Sequence, residues 1–272
     1  MKRKIISIST GMFYFLDFER TLYIISNSGF KYIEVCGFWQ DREWIVGQHL
    51  EGYSLKKILD LARKYNLVIS SFHDMSGAMY SYRDDVIDKF TREYVLESDI
   101  YCIVTHIPYI LKRDFMNLSK YIKNVNDKYF DMSSKYNKLI CVENMSEIDD
   151  YDVLFNNCDE ITKFCNENKV FLNVDLVHII ESGYNVRNFL KKMKSCIKSF
   201  HVSGYSYECG RTNFKKDNFG VLKILSDYNW DDIYSFTIET KIETTDADNQ
   251  YYINYCKELR KDLENIIYEK RS

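Results

Sequence analysis

Apolar and polar positions along the chain fall into two alternating rhythms. Short runs rich in β-branched and aromatic residues recur as KIISIST (4–10), FKYIEV (30–35), LVISSF (67–72), YCIVT (101–105), KLICV (138–142), KVFLNV (169–174), IKSF (197–200) and YSFTI (234–238). Runs of this length and composition predict buried strands. Between them, apolar residues return at three- and four-residue steps, the spacing of a helix that buries one face. In DFERTLYIISNSG, Phe18, Leu22 and Ile25 carry that pattern and Gly29 supplies the stop. In SLKKILDLARKY, Leu55, Ile58, Leu59, Leu61 and Ala62 repeat it behind Ser54, whose hydroxyl suits a helix N-cap. Longer amphipathic stretches fill 114–135 and 250–268.

Continuous apolar strands alternating with helices describe a parallel sheet covered on both faces. Eight such runs, with about eight helices between them, predict a single α/β domain over residues 1–272, a (β/α)8 barrel. A doubly wound open sheet also alternates in this way, but it usually opens with a glycine-rich turn after its first strand. Here that turn reads STGMFYF and holds one glycine. The chain has one proline and no linker rich in Pro, Gly or Ser, which favours one domain.

Composition narrows the function classes. Hydrophobic residues make up 46 % and aromatic residues 16 %, enough for a large core and too much for a disordered chain. Lysine and arginine number 37 against 40 acidic residues, a formal charge of −3, so nothing in bulk attracts a nucleic acid. KRDF and RKY read as solvated faces. No apolar run approaches the roughly 20 residues that span a bilayer. The start, MKRKIIS, lacks the apolar length and cleavage site of a signal peptide, so a cytoplasmic protein is expected. Eight cysteines form no CxxC pair, which argues against thiolate zinc or a disulfide framework; Cys102 and Cys141 lie in strand-like runs and read as core.

The chemistry lies where the apolar runs end. His73 follows LVISSF, His106 follows YCIVT and Glu143 follows KLICV. Asp175 follows KVFLNV, His201 follows IKSF and Glu239 follows YSFTI, and His178 comes three residues after Asp175. The carboxyl ends of barrel strands converge on one rim, where active sites form. Any one such residue is ordinarily a cap or a solvated rim group, but four of the five histidines fall in this set. The fifth, His49, sits in the polar VGQHLEG and reads as surface. Carboxylates with imidazoles and no thiolate suit Mn²⁺, Co²⁺, Fe²⁺, Zn²⁺ or Mg²⁺. Phe13, Tyr14, Phe38, Trp39 and Tyr109 are placed either to wall a pocket or to serve as core. DNFGV (217–221) reads as a lid or a helix-start loop.

GFKYIEV, VEN (142–144), DLVH (175–178), FHV (200–202) and IET (238–240) together resemble the xylose-isomerase-like barrel superfamily over nearly the whole chain. That group includes sugar isomerases and epimerases and the endonuclease IV type of repair enzyme. The resemblance to the ketose 3-epimerase and hydroxypyruvate isomerase branches implies one divalent ion, Mn²⁺ foremost, held by Glu143, Asp175, His201 and Glu239. It implies His178 as a substrate contact, with His106, His73, Asp149 and Arg211 completing the substrate set. Asp149 stands where that branch carries a glutamate. Tyr207 stands where it carries an arginine, a part that Arg211 is placed to take from the same loop. The nuclease branch shares the strand-three and strand-four histidines and the DxxH motif. Its trinuclear zinc site needs a further Asp and His after strand seven, and those places fall at about Phe214 and Lys216 here.

The expected chemistry is proton transfer through an enediolate, with Glu143 and Glu239 as acid and base on a small sugar or sugar phosphate. Epimerisation, isomerisation and dehydration all share that intermediate. Hydrolysis of abasic DNA is the alternative activity. A barrel that binds a small ligand without turnover is a third reading, opposed by the four retained ligands. A homo-oligomer is compatible with all of these.

Overall fold

The computed structural model describes residues 4–38, 48–50, 52–75, 89–111, 118–147, 151–155, 157–228 and 230–268. Its long strands are β1 (Ile5–Ser9), β2 (Tyr32–Phe38), β3 (Val68–Asp74), β4 (Cys102–His106), β5 (Leu139–Glu143), β6 (Phe171–Asp175), β7 (Ile197–Val202) and β8 (Ser235–Ile238). They are hydrogen-bonded in the order β1-β8-β7-β6-β5-β4-β3-β2, and β1 pairs with β2 in turn. The sequence of pairings returns to its start, which makes the sheet a (β/α)8 barrel as expected. The helices are α1 (Phe18–Asn27), α2 (Leu55–Lys64), α3 (Leu118–Lys135), α4 (Cys158–Asn168), α5 (Leu176–Glu181), α6 (Val186–Met193), α7 (Val221–Ser226) and α8 (Asn249–Tyr268). Among the described residues, no helix is long and apolar enough to cross a membrane.

Local chemistry sets the element ends. Asp17 caps α1 through Arg20 N, Ser54 caps α2 through Lys57 N, and Gly29 at φ +83° stops the chain beyond α1. DNFGV proves to be a helix start. Asp217 accepts from Tyr205, Phe219, Gly220 and Val221 N–H groups at 2.7–3.2 Å and so fixes the entry to α7. Several strands run past the ends suggested by the apolar pattern: β3 reaches Asp74, β4 His106, β5 Glu143 and β6 Asp175. Ladder hydrogen bonds come from the backbone, so a polar side chain does not end a strand whose neighbour continues. His106 pairs opposite Glu143 in this way. His49 lies in a short strand, Gln48–His49, parallel to β2.

Two compact units make up the chain, residues 1–70 with 200–272 and residues 71–199, and the divisions fall inside β3 and β7. In the first, β1 runs between β2 and β8, with Ser9 opposite Glu34 and Ile8 opposite Ile238. Phe200 and Phe236 stack with centroids 5.2 Å apart, and Ser7 and Thr237 share a buried hydroxyl contact at 2.8 Å. Phe13 is buried edge-on to Tyr252 and belongs to the core, whereas Tyr14 is exposed. In the second unit, β4, β5 and β6 are wholly buried apart from Phe171, and α3 meets α4 through Tyr129 on Phe164. Each large apolar side chain so buried contributes about 1.5–3 kcal/mol.

Candidate active site at the strand ends

Within residues 71–199 the site is built around Asp175. β6 ends there, and Asp175 Oδ1 accepts from Val177 N at 2.8 Å and His178 N at 3.2 Å, capping α5. That cap places His178 in the first helical turn, on the same side as the aspartate. Asn144, one residue beyond β5, clamps the Asp175 backbone: its Oδ1 accepts from Asp175 N at 2.9 Å and its Nδ2 donates to Asp175 O at 3.0 Å. His178 Nδ1 lies 2.8 Å from Asn144 O. A carbonyl only accepts, so Nδ1 carries a proton, and in the neutral ring Nε2 presents a lone pair. Glu143 Oε1 is 3.3 Å from that Nδ1, and one ligand atom from each of Glu143, Asp175 and His178 fits within 4.8 Å of the others.

His73 and His106 meet on the other side of Glu143. Their Nε2 atoms are 2.9 Å apart, with perpendicular rings, and Glu143 Oε2 lies 3.4 Å from His73 Nε2. Two imidazole nitrogens at that distance require a proton or a cation to join them. Asn173 Nδ2 faces Glu143 Oε2 at 3.4 Å, and the Tyr129 hydroxyl donates to His106 O. Tyr109, read as pocket wall or core, is buried. Its phenol donates to Ser146 O at 2.6 Å, and burial, reinforced by Glu143, pushes its pKa well up.

Residues 1–70 with 200–272 hold a buried group of their own. His201 is fully buried on β7, with Nδ1 2.8 Å from Glu239 Oε2 and Nε2 3.0 Å from Glu34 Oε1. Arg211, from the hairpin Gly204–Ser206 and Gly210–Thr212, donates to Glu239 O at 2.8 Å and holds Nη1 3.8 Å from Glu239 Oε2. The expected stand-in arginine therefore lies beside a presumed acid–base carboxylate. Burial pushes the Cys36 thiol well up, and Glu239 and Glu34 reinforce the shift. Glu34 and Asn144 were given no role in the sequence reading. The available signals were a carboxylate inside the apolar FKYIEV and an amide directly after Glu143.

Asp149 and Trp39 lie outside the described residues. At the places where a trinuclear zinc site would need an Asp and a His, Phe214 is buried and Lys216 Nζ binds Glu243 at 2.7 Å. Neither supplies a ligand. The donors that remain are carboxylates, buried at Glu143 and part-buried at Glu239, against imidazoles at 2.8–3.4 Å, with no thiolate among them. Carboxylates buried without compensation are strongly unfavourable, and a divalent cation compensates several at once. The donor set fits a hard or borderline ion.

No family model matches the sequence, and no curated protein matches it. Solved structures do. A D-tagatose 3-epimerase-like protein superposes with TM-score 0.65 at 16 % identity, covering 98 % of this chain and 100 % of its own. D-psicose 3-epimerase from Clostridium cellulolyticum H10, solved with D-tagatose, gives 0.66 at 12 % identity over 97 % and 99 %. The IolI protein with a bound zinc atom gives 0.68 at 14 % identity over 98 % and 99 %. At such identities the likeness shows a shared fold, the (β/α)8 barrel.

Proposed function

We propose that this chain is a divalent-metal-dependent isomerase or epimerase acting on a small sugar or sugar phosphate. The carrying observation is a pair of carboxylates at the ends of different strands, each close to an imidazole: Glu143 beside His178 and Glu239 beside His201. The sugar epimerases among the structural neighbours support the substrate class. In this reading Glu143, Asp175, His201 and Glu239 hold the ion. When bound, the ion supplies Lewis acidity at a substrate carbonyl, which lowers the barrier to an enediolate.

The protein's own groups do the rest. Glu143 and Glu239 take up and return the carbon-bound proton, each close to its imidazole. His178, fixed with its proton on Nδ1, turns Nε2 toward a substrate hydroxyl as an acceptor. His73 and His106, tied to each other, orient a further hydroxyl. Arg211, beside Glu239, steadies that carboxylate and binds substrate oxygen.

The test incubates native protein with Mn²⁺ in D₂O against a panel of ketoses and ketose phosphates, with an abasic DNA duplex in parallel. Deuterium should enter a substrate C–H position, and Glu143→Gln and Glu239→Gln should each slow that exchange by orders of magnitude while sugar binding survives. Loss of a hydroxyl instead of simple exchange would identify a dehydratase. Nicking that disappears in Glu143→Gln, with no deuterium in any sugar, would overturn the proposal in favour of the nuclease.

A further inference from the structure

The imidazole of His201 stands between two carboxylate oxygens, Glu239 Oε2 at 2.8 Å from Nδ1 and Glu34 Oε1 at 3.0 Å from Nε2. Neither contact has hydrogen-bond geometry, so proximity and charge decide which ring nitrogen carries the single proton of a neutral imidazole. The two sides are not equivalent. Glu34 is 1 % exposed and lies on β2 opposite Ser9, walled in by the sheet. Glu239 is 20 % exposed and lies next to Arg211. A carboxylate buried as deeply as Glu34 is strongly destabilised unless an N–H compensates its charge. An ion held by Glu239 would demand the lone pair of Nδ1.

Both requirements are met by a single tautomer, with the proton on Nε2, the nitrogen 3.0 Å from Glu34 Oε1. We infer that Glu34 is a positioning residue. It fixes the tautomer of His201, makes its Nδ1 more basic, and thereby sets the metal affinity of the Glu239–His201 pair without touching the ion or the substrate. Histidine ligands commonly donate their distal N–H to a carboxylate, and removing that partner weakens metal binding by about 10–100-fold. The inference rests on the metal reading of the proposed function and adds a residue to it. Cys36, two residues along the same strand, is not an alternative support: burial and the adjacent Glu34 and Glu239 hold it as a neutral thiol.

The experiment measures Co²⁺ affinity by competition with a chelator, together with the visible absorption of bound Co²⁺. It compares native protein with Glu34→Gln, Glu34→Asp and His201→Ala. Glutamine keeps the size of the side chain but loses its charge, so Co²⁺ affinity should fall about 10–100-fold and the absorption band should shift. Aspartate keeps the charge and should fall between native and Gln. His201→Ala should bind no stoichiometric ion. Should Glu34→Gln bind Co²⁺ with native affinity and an unshifted band while His201→Ala has lost it, the positioning role is refuted and the metal reading survives. Absence of Co²⁺ binding by the native protein refutes both.

Discussion

Replacing Asn144 with alanine removes the clamp on Asp175 without altering any presumed ligand. The native side chain makes two hydrogen bonds to one residue, accepting from Asp175 N at 2.9 Å and donating to Asp175 O at 3.0 Å. Both partners are buried, Asn144 at 5 % and Asp175 at 0 % exposure, so water reaches the vacated groups poorly. A buried backbone group left unpaired costs about 1–3 kcal/mol, which for two groups with some relaxation sums to about 2–4 kcal/mol. That is a large share of the roughly 5–15 kcal/mol that ordinarily separates folded from unfolded states. With a urea slope of about 2–3 kcal/mol per molar, the unfolding midpoint should fall by about 1 M. Asn144→Asp accepts from Asp175 N but cannot donate to its carbonyl, and it adds a carboxylate beside Glu143, so it should not rescue. Because the clamp orients the Asp175 carboxylate, metal affinity should fall with stability. A midpoint displaced by less than about 0.2 M, with unchanged metal binding, would show that the clamp carries no weight and that α5 alone positions Asp175.

Two further outcomes are expected. Cys209 is exposed while Cys36 is buried with its thiol pushed up, so a thiol reagent near pH 8 should show a fast reaction that disappears in Cys209→Ser, and Cys36 should react only on unfolding; rapid labelling of Cys36 in the folded protein, read by peptide mapping, would contradict its burial. Burial raises the Tyr121 phenol to about 12, above its unfolded value near 10, so the stability it contributes is complete below pH 10 and lost as pH climbs to about 12. Absorbance titration should show a late-ionising phenol missing from Tyr121→Phe, and that variant should lose stability less steeply over this interval; identical titrations would rule the assignment out.

The periodicities of the chain determined a great deal by themselves. Eight apolar runs and the helical spacing between them specify strands, helices and barrel class, because burial on both faces of a parallel strand writes itself into consecutive residues. A capping serine at 54 and the glycine stop at 29 were equally legible, since each acts within one turn of its own helix. The strand-end histidines and carboxylates stood out for the same reason: each is a polar residue closing an apolar run. What the sequence could not convey is which of these side chains meet. His73 faces His106 across two neighbouring strands, and their separation of 33 positions carries no trace of a 2.9 Å contact. Asp175 looked like a ligand, and only the structure shows that one of its oxygens is committed to capping α5 and that Asn144 holds its backbone. Glu34 read as an oddity inside a strand because its partner, His201, lies on a strand far along the chain. Such pairings depend on strand order and register, which are set by the packing of the whole sheet. A side chain's neighbours across a sheet are properties of tertiary structure, whereas its place within a strand is a property of the residues beside it.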